Sequence, residues 1–415
     1  MRISAKTLFG AALLAVLAMA TPVRADQDPQ EFEVIQRGRY LATAGDCTAC
    51  HTTPGEPLFA GGRAIDTPFG KLLAPNITPD GATGIGNWSD DDFVRSLQVG
   101  TGRGGVHLYP AMPYTYYTKV TRADALAIRA YLNTVQPVRH EVHSNQLPFP
   151  LNQRVAMLGW NMLFFTPGEF RPVAGKSEAW NRGAYLVEGL EHCGACHTGK
   201  NLLGGDQRAR GLQGNDLQGW FAPNLTGDQR RGIGGWSEDA IASYLKYGWN
   251  DVATASGPMA EVITDSTSHL TDADLHAIAA YLHDQPPGGG GSGQAVSASE
   301  PAMRTGQAIY VDQCAACHTA EGGGIVGLFP SLRAPSIQQA QPTSLIRVVL
   351  AGARSVATDG APTGPGMPSF GWKLTDEQVA DVLTYIRNSW GNLAPVVGSG
   401  VVRHQRQSLA QGDGE

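Results

Sequence analysis

The sequence predicts an all-α chain of three small helical domains in tandem. Three observations lead there. The pentapeptide pattern C-x-x-C-H occurs at Cys47–His51, Cys193–His197 and Cys314–His318, and it uses all six cysteines of the 415 residues. The segments around the first two pentapeptides repeat each other with a period of about 146 residues, which marks a duplicated domain and not a short-period solenoid. Each pentapeptide follows a glycine–aromatic stretch, and each precedes a proline, a methionine in a Gly/Pro-rich loop and a closing segment of helical pattern.

Two cysteines three residues apart can form thioethers to the two vinyl groups of one porphyrin. The next histidine is then held against one face of the ring, where its imidazole can ligate iron. A zinc ribbon needs two C-x-x-C pairs in one site, and three pairs leave one over. A thioredoxin-like redox pair has no use for a following histidine. The expected cofactors are therefore three covalently bound haem c groups. Cys47, Cys50, Cys193, Cys196, Cys314 and Cys317 are the attachment points, with His51, His197 and His318 as iron ligands. The 52 glycines and 26 prolines, with 42% hydrophobic and 16% charged residues, suit turn-rich units that bury part of their core against a macrocycle.

Residues 1–25 read as a secretory signal peptide. Arg2 and Lys6 precede an uncharged apolar run from Leu8 to Ala20, and Val23-Arg24-Ala25 supplies the cleavage positions. The run of 13 residues is too short to span a bilayer core. Removing the segment takes away Arg2, Lys6 and Arg24, so the net charge falls from −6 to −9. Haem propionates add to that, which argues against nucleic acid as a partner.

Domain 1 (residues 26–138) starts with an apolar stripe, Phe32, Ile35, Tyr40 and Leu41, leading into Cys47. Ala74-Pro75-Asn76-Ile77-Thr78, an acid-rich helix start at Ser89–Asp92, Tyr109-Pro110-Ala111-Met112-Pro113 and a helix from Ala123 to Leu132 follow. Residues 139–177 form a connector whose stretch Arg154–Phe165 is apolar and flanked by Pro148, Pro150 and Pro167. It reads as a helix clamping the two units, with a membrane-touching or partner-facing patch as the sharper alternative.

Domain 2 (residues 178–285) repeats domain 1. Arg182-Gly183-Ala184-Tyr185-Leu186 matches Arg37-Gly38-Arg39-Tyr40-Leu41, Ala222-Pro223-Asn224-Leu225-Thr226 matches Ala74–Thr78, and Gly257-Pro258-Met259 stands where Met112 stood. Met112 lies 61 residues after His51, and Met259 lies 62 after His197. Residues 286–298 read as a flexible Pro/Gly-rich linker. It sets a rigid pair of domains apart from a third that folds as a separate module.

Domain 3 (residues 299–395) carries Gly306, Ile309 and Tyr310 before Cys314. After the pentapeptide come Phe329-Pro330, a helix around Leu345–Leu350, Pro365-Gly366-Met367-Pro368, and a helix opened by Thr375 with Gln378 as a capping box. Residues 396–415 are a polar tail.

This order of elements resembles the class I cytochrome c fold, with one covalent haem in each domain. By that resemblance Gly38, Gly183 and Gly306 sit against Tyr131, Tyr281 and Tyr385 where first and last helices cross. The carbonyls of Pro75, Pro223 and Pro330 bond the second ring nitrogen of each proximal histidine and fix its tautomer. Met112, Met259 and Met367 share proline neighbours and a position before the closing helix, where a sixth-ligand loop belongs. A thioether suits iron(II) and raises the potential relative to bis-histidine ligation. His107 is the rival ligand in domain 1, and Met157, Met162 and Met303 read as core filling.

The mature chain as a whole resembles the three-haem cytochrome c subunit of bacterial membrane-bound dehydrogenases for alcohol, gluconate, sorbitol, fructose and some aldehydes. Asn181–Leu186, Gly257–Glu261, and Pro365–Pro368 with Tyr385-Ile386-Arg387 carry the likeness. It implies an electron-transfer subunit with no catalytic residue of its own. Electrons would come from a catalytic subunit holding PQQ, a flavin or a molybdenum cofactor and go to ubiquinone or a downstream carrier. The place implied is the periplasmic side of the inner membrane, with the chain attached peripherally to the membrane surface or held through the complex. A free periplasmic shuttle, or a haem enzyme such as a peroxidase with one open iron position, are the alternatives.

Overall fold

The computed structural model describes residues 31–143, 145–289, 296–339 and 341–412. The expected signal peptide, and residues 290–295 of the expected linker, lie outside the described residues.

In domain 1, Val34, Leu41 and Ala42 turn one side of helix α1 (Phe32–Ala44) inward. The turn α2 (Cys47–His51) follows, then a hairpin of β1 (Ala64–Thr67) and β2 (Gly70–Leu73). Helix α3 (Asp90–Gln98) opens on a capping box: Ser89 Oγ accepts from the Asp92 N–H, and the Asp92 carboxylate accepts from the Ser89 N–H. Then come α4 (Tyr114–Tyr117) and α5 (Arg122–Leu132), capped by Thr121. Strand β3 (Asn145–Gln146) pairs with β2 and leads to α6 (Ala156–Phe164).

Domain 2 runs α7 (Glu178–Tyr185), α8 (Gly194–His197), the hairpin β4 (Asn215–Leu217) and β5 (Trp220–Ala222), α9 (Glu238–Tyr247), α10 (Pro258–Asp265) and α11 (Asp272–His283). A π-helical turn, Leu186–Leu190, lies between α7 and α8. Its origin is visible in the chain. Cys47 is the sixth residue after Leu41, whereas Cys193 is the seventh after Leu186. The extra residue is taken up as a wider turn.

Domain 3 is α12 (Pro301–Gln313), α13 (Ala315–His318), α14 (Thr343–Ala351), β6 (Ala353–Arg354), β7 (Gly366–Met367), α15 (Asp376–Ile386) and α16 (Ser399–Gly412). The frame is helical, but the expectation of an all-α chain is too strict. Three small antiparallel sheets are present among the described residues. Their strands are two to four residues long, too short for an alternating pattern to register in sequence.

In every domain the first helix crosses a later one backbone to backbone: α1 with α5, α7 with α11 and α12 with α15. A Cβ on Gly38 would lie 1.8 Å from Ala127 O and 3.0 Å from Tyr131 Cβ. On Gly183 it would lie 1.8 Å from Ala277 O and 2.9 Å from Tyr281 Cβ, and on Gly306 2.2 Å from Asp381 O and 2.7 Å from Tyr385 Cβ. Only a residue without a side chain permits these approaches.

Domains 1 and 2 share one continuous core, in which Leu41, Ala44 and Tyr117 meet Leu186, Leu190 and Ile278. A reciprocal polar latch ties them. Arg37 bonds Asp124 (2.6 Å), which also accepts from Tyr185 of the other domain (2.6 Å). Arg182 bonds Asp274 (2.7 Å), which also accepts from Tyr40 (2.6 Å). The participants occupy matching positions of the repeat, so the two halves are related by a pseudo-two-fold axis.

The connector helix α6 clamps both halves. Asn161 accepts from Tyr114 of domain 1 (2.7 Å), Trp160 Nε1 donates to Leu203 O of domain 2 (2.9 Å), and Arg208 donates to Phe164 O (2.6 Å).

Domain 3 has core clusters of its own and docks on domain 2. Ser344 Oγ accepts from the Phe221 N–H (2.8 Å) and donates to Phe221 O (3.1 Å). The Arg347 guanidinium lies 5.0 Å over the Trp220 ring, and Val356 packs with Ala255 and Ile263. The polar tail is not a free extension. As α16 it buries Val402, bonds Asp376 through Arg406 (2.8 Å) and reaches domain 2 through Gln405 and Gly219 O (3.0 Å). Residues 286–289, the start of the expected linker, are also held, because Gly288 O accepts from Asn224 Nδ2 (2.7 Å).

Gly183→Ala should force α7 and α11 apart and cost about 3 kcal/mol, measured by denaturant unfolding. Gly159→Ala, in α6 with nothing within 4 Å of the added methyl, should leave the midpoint unchanged or slightly raised.

Candidate haem-binding sites

Each C-x-x-C-H pentapeptide folds as a single helical turn just after the first helix of its domain. One turn brings residues i and i+3 to the same side, as two thioethers to one ring require. All six cysteines are free. Burial in apolar surroundings pushes the thiols of Cys50 and Cys314 up to about 11 and that of Cys47 up to about 12, with Cys193 higher still.

His51 Nδ1 lies 2.7 Å from Pro75 O, His197 Nδ1 2.7 Å from Pro223 O, and His318 Nδ1 3.0 Å from Pro330 O. A carbonyl oxygen only accepts, so each Nδ1 carries the proton and each Nε2 keeps its lone pair for a metal. Burial pushes all three imidazoles below their ordinary value, while the bond to the carbonyl partly offsets it. A neutral imidazole is the ligating form.

In domains 1 and 2 the rest of the Ala-Pro-Asn-x-Thr repeat holds the chain that leaves the domain. Asn76 donates to Val138 O (2.7 Å), as Asn224 does to Gly288 O, and Val138 and Gly288 in turn donate to Thr78 (3.1 Å) and Thr226 (3.0 Å). One pentapeptide therefore sets the histidine and fastens the end of the last helix.

The three loop methionines lie in or beside a core cluster, ahead of the closing helix. Met112 packs on the shared core just before α4. Met259 starts α10 behind Gly257, whose φ of +60° and contact with the Trp220 ring (2.5 Å from an added Cβ) leave room only for glycine. Met367 sits in β7 opposite Ala353, against the domain 3 core. In His107 the buried Nδ1 has no partner, and its carbonyl accepts from Arg154 (2.8 Å). Met157 packs with Leu72, Tyr109 and Leu147, and Met303 is buried. Met162 overturns the expectation of core filling: it is 87% exposed, because it falls on the outer side of α6.

Each methionine segment of the first two domains lies on the other domain's attachment turn. The Tyr116 ring covers Gly194, where a Cβ would come within 2.8 Å, and its hydroxyl donates to Asp206 (2.7 Å). Helix α10 packs on α2, and Glu261 pairs with Arg63. Between these turns lie a buried carboxyl, Glu191, and a half-buried one, Asp46. Glu191 accepts from Ser266 (3.3 Å), leaving its other oxygen and one of Asp46 without partners. Burial, reinforced by Asp265 and Glu261, pushes Asp46 up to about 8. Burial and the charge of Asp46 hold Glu191 well above the ordinary carboxyl range.

The cytochrome c family model matches residues 35–136, 181–286 and 303–390, one stretch for each pentapeptide. The chain belongs to the cytochrome c family. It is 41% identical over 387 residues to the gluconate 2-dehydrogenase cytochrome c subunit of Pantoea cypripedii, covering 88% of this chain and 87% of that one. It is 37% identical over 412 residues to the cytochrome c subunit of alcohol dehydrogenase (quinone) of Gluconacetobacter polyoxogenes, covering 94% and 87%. Against a nicotinate dehydrogenase subunit of Pseudomonas putida it is 40% identical over 400 residues, 92% of this chain, and spans 33% of that longer protein.

Family membership implies covalently bound haem c, and the residues fit it: paired thiols, all but Cys317 partly shielded from solvent, beside an imidazole whose free nitrogen is set by a carbonyl. The Arg–Asp–Tyr latch was not foreseen from the sequence. Its signal was present in the repeat, as Thr121-x-x-Asp124 and Thr271-x-x-Asp274 beside the matched Arg-Gly-x-Tyr pairs.

Asp46 holds a proton in the folded chain that an ordinary unfolded carboxyl, near 3.9, has released. Its contribution to stability therefore falls as pH rises from about 4 to 8. The melting temperature of Asp46→Asn minus that of the unmutated protein should increase between pH 5 and pH 8.

Proposed function

We propose that this chain is the electron-transfer subunit of a membrane-associated dehydrogenase complex, holding three covalent c haems, one in each domain. The observation that carries the proposal is the threefold recurrence of one C-x-x-C-H turn with its histidine bonded to a proline carbonyl. The relatives' names support the complex. They are subunits of gluconate, alcohol and nicotinate dehydrogenases, so the substrate varies while this kind of chain recurs.

In this reading Cys47, Cys50, Cys193, Cys196, Cys314 and Cys317 would carry the thioethers, and His51, His197 and His318 with Met112, Met259 and Met367 would supply the iron ligands. Bound haem c supplies a one-electron iron couple. The proline carbonyls hold the imidazoles in orientation, the thiol pairs would hold the haem, and the methionine loops would keep water and substrate from its iron. The electron source is a catalytic subunit with PQQ, a flavin or a molybdenum cofactor, and the recipient is ubiquinone or a further carrier at the periplasmic side of the inner membrane. Among the described residues no helix is long and apolar enough to cross a membrane. The proposal places attachment at the membrane surface or through the complex.

The reduced, haem-loaded protein should bind no stoichiometric carbon monoxide at neutral pH. Met112→Ala, Met259→Ala or Met367→Ala should each open one haem and lower its potential, and His107→Ala should open none. Full binding by the unmutated protein would point to a haem enzyme instead. The isolated chain should be reduced by no alcohol, sugar or aldehyde, and substrate-dependent haem absorbance changes should appear once a catalytic subunit is added. Turnover by the chain alone would overturn the proposal.

A further inference from the structure

The connector helix α6 is inverted for a helix on a soluble domain. Met157, Trp160, Asn161 and Phe164, spaced i, i+3, i+4, i+7, face inward. Met157 packs on Leu72, Tyr109 and Leu147, and the Asn161 and Trp160 bonds reach both domains. The opposite side carries Val155, Leu158, Met162 and Leu163, all exposed. The loop whose Leu203 carbonyl receives the Trp160 bond adds Leu202, 96% exposed. An outward aliphatic ridge, pinned from behind to two domains, is not a frayed segment. Contiguous exposed apolar surface of this kind marks a binding face.

Charge indicates what covers it. From Val142 to Gly168 the chain contains no Asp or Glu, although the protein as a whole is net negative. The neighbouring turn Arg208–Arg210 presents two exposed arginines, one donating to Phe164 O at the end of α6. The nearest carboxylate in that loop, Asp206, is occupied by Lys200 and Tyr116. Trp160, Phe164 and Phe165 all turn inward, toward Tyr114, Gly205 and Leu203, so the bulky rings of α6 serve to pin the helix and leave its aliphatic side chains outside. The outer face of α6 itself is aliphatic and thioether, with Phe149 also exposed earlier in the connector and cations at its edge. That is the composition of a surface which enters acyl chains while arginines meet anionic headgroups. Helix α16 offers no comparable face, since Val402 and Arg406 turn it onto domain 3.

We infer that the outer face of α6, with the Leu202–Leu203 loop and Arg208 and Arg210, is an interfacial anchor for an anionic bilayer. The inference deepens the membrane setting proposed above and rests on it, and it names a surface that does not take part in haem attachment.

The test is flotation of the haem-loaded protein with vesicles of phosphatidylglycerol and phosphatidylethanolamine, compared with phosphatidylcholine alone. The unmutated protein should float with the anionic vesicles. Met162→Asp with Leu163→Asp should reduce the bound fraction at least tenfold. Arg208→Gln with Arg210→Gln should weaken binding to the anionic vesicles alone, by about fivefold per arginine. Val311→Asp, exposed on α12, should change nothing. Haem content and melting temperature establish that each variant is folded. Met162→Ser with Leu163→Ser repeats the measurement, with the same direction expected, if the aspartates prevent folding.

Equal flotation of the double variant and the unmutated protein overturns the anchor, as does absence of flotation by the unmutated protein. A double variant that floats normally but no longer co-purifies with a catalytic subunit overturns it too, by assigning the face to a protein. Loss of substrate-driven haem reduction with flotation intact would count against the electron-transfer proposal and leave the anchor standing.

Discussion

Each domain depends on a contact made where a side chain is missing. At Gly38, Gly183 and Gly306 the first helix touches the backbone of a later one, and this crossing sets where the next turn of chain begins. The C-x-x-C-H turn follows directly, so its cysteines and histidine arrive at the same place in all three domains. The proline segment then returns to offer its carbonyl to the histidine. Close packing, imidazole orientation and cofactor chemistry are thus successive results of one steric condition.

The domains are joined in two physically different ways. Between domains 1 and 2 the join is a shared apolar core plus two desolvated carboxylates, each accepting from an arginine of its own domain and a tyrosine of the other. Charge-assisted bonds to a buried carboxylate are strong and directional, so this join resists rotation. Domain 3 meets domain 2 through a few polar bonds, one guanidinium over an indole and the Val356 contact. This resembles the more polar interfaces between domains that retain some relative freedom.

Much of this was legible in the sequence, for a physical reason: what repeats is what backbone geometry demands. The three helix-crossing glycines with their tyrosines and the prolines after each motif take the places expected of them. Features that depend on partners far apart in the chain were not legible. Asp124 and Asp274 look like ordinary first-turn acids until the fold brings Tyr185 and Tyr40 to them. The strands were too short for a pattern, and the polar tail hid a helix whose inward stripe is little more than Val402 and Gln405. Met162 was misplaced because composition alone does not say which side of α6 is solvated.

The π-helical turn before Cys193 has a consequence for how the paired halves can differ. Counting back from the pentapeptides, Gly45 corresponds to Glu191 and Asp46 to His192, so the near-symmetric interface carries unlike groups on its two sides. A true homodimer could not do this, because every substitution would appear twice. Once both copies lie in one gene, each can drift independently while the packing that unites them is kept. Divergence can then give the two halves unequal electrostatic surroundings, and an assembly inherited as symmetric acquires a direction.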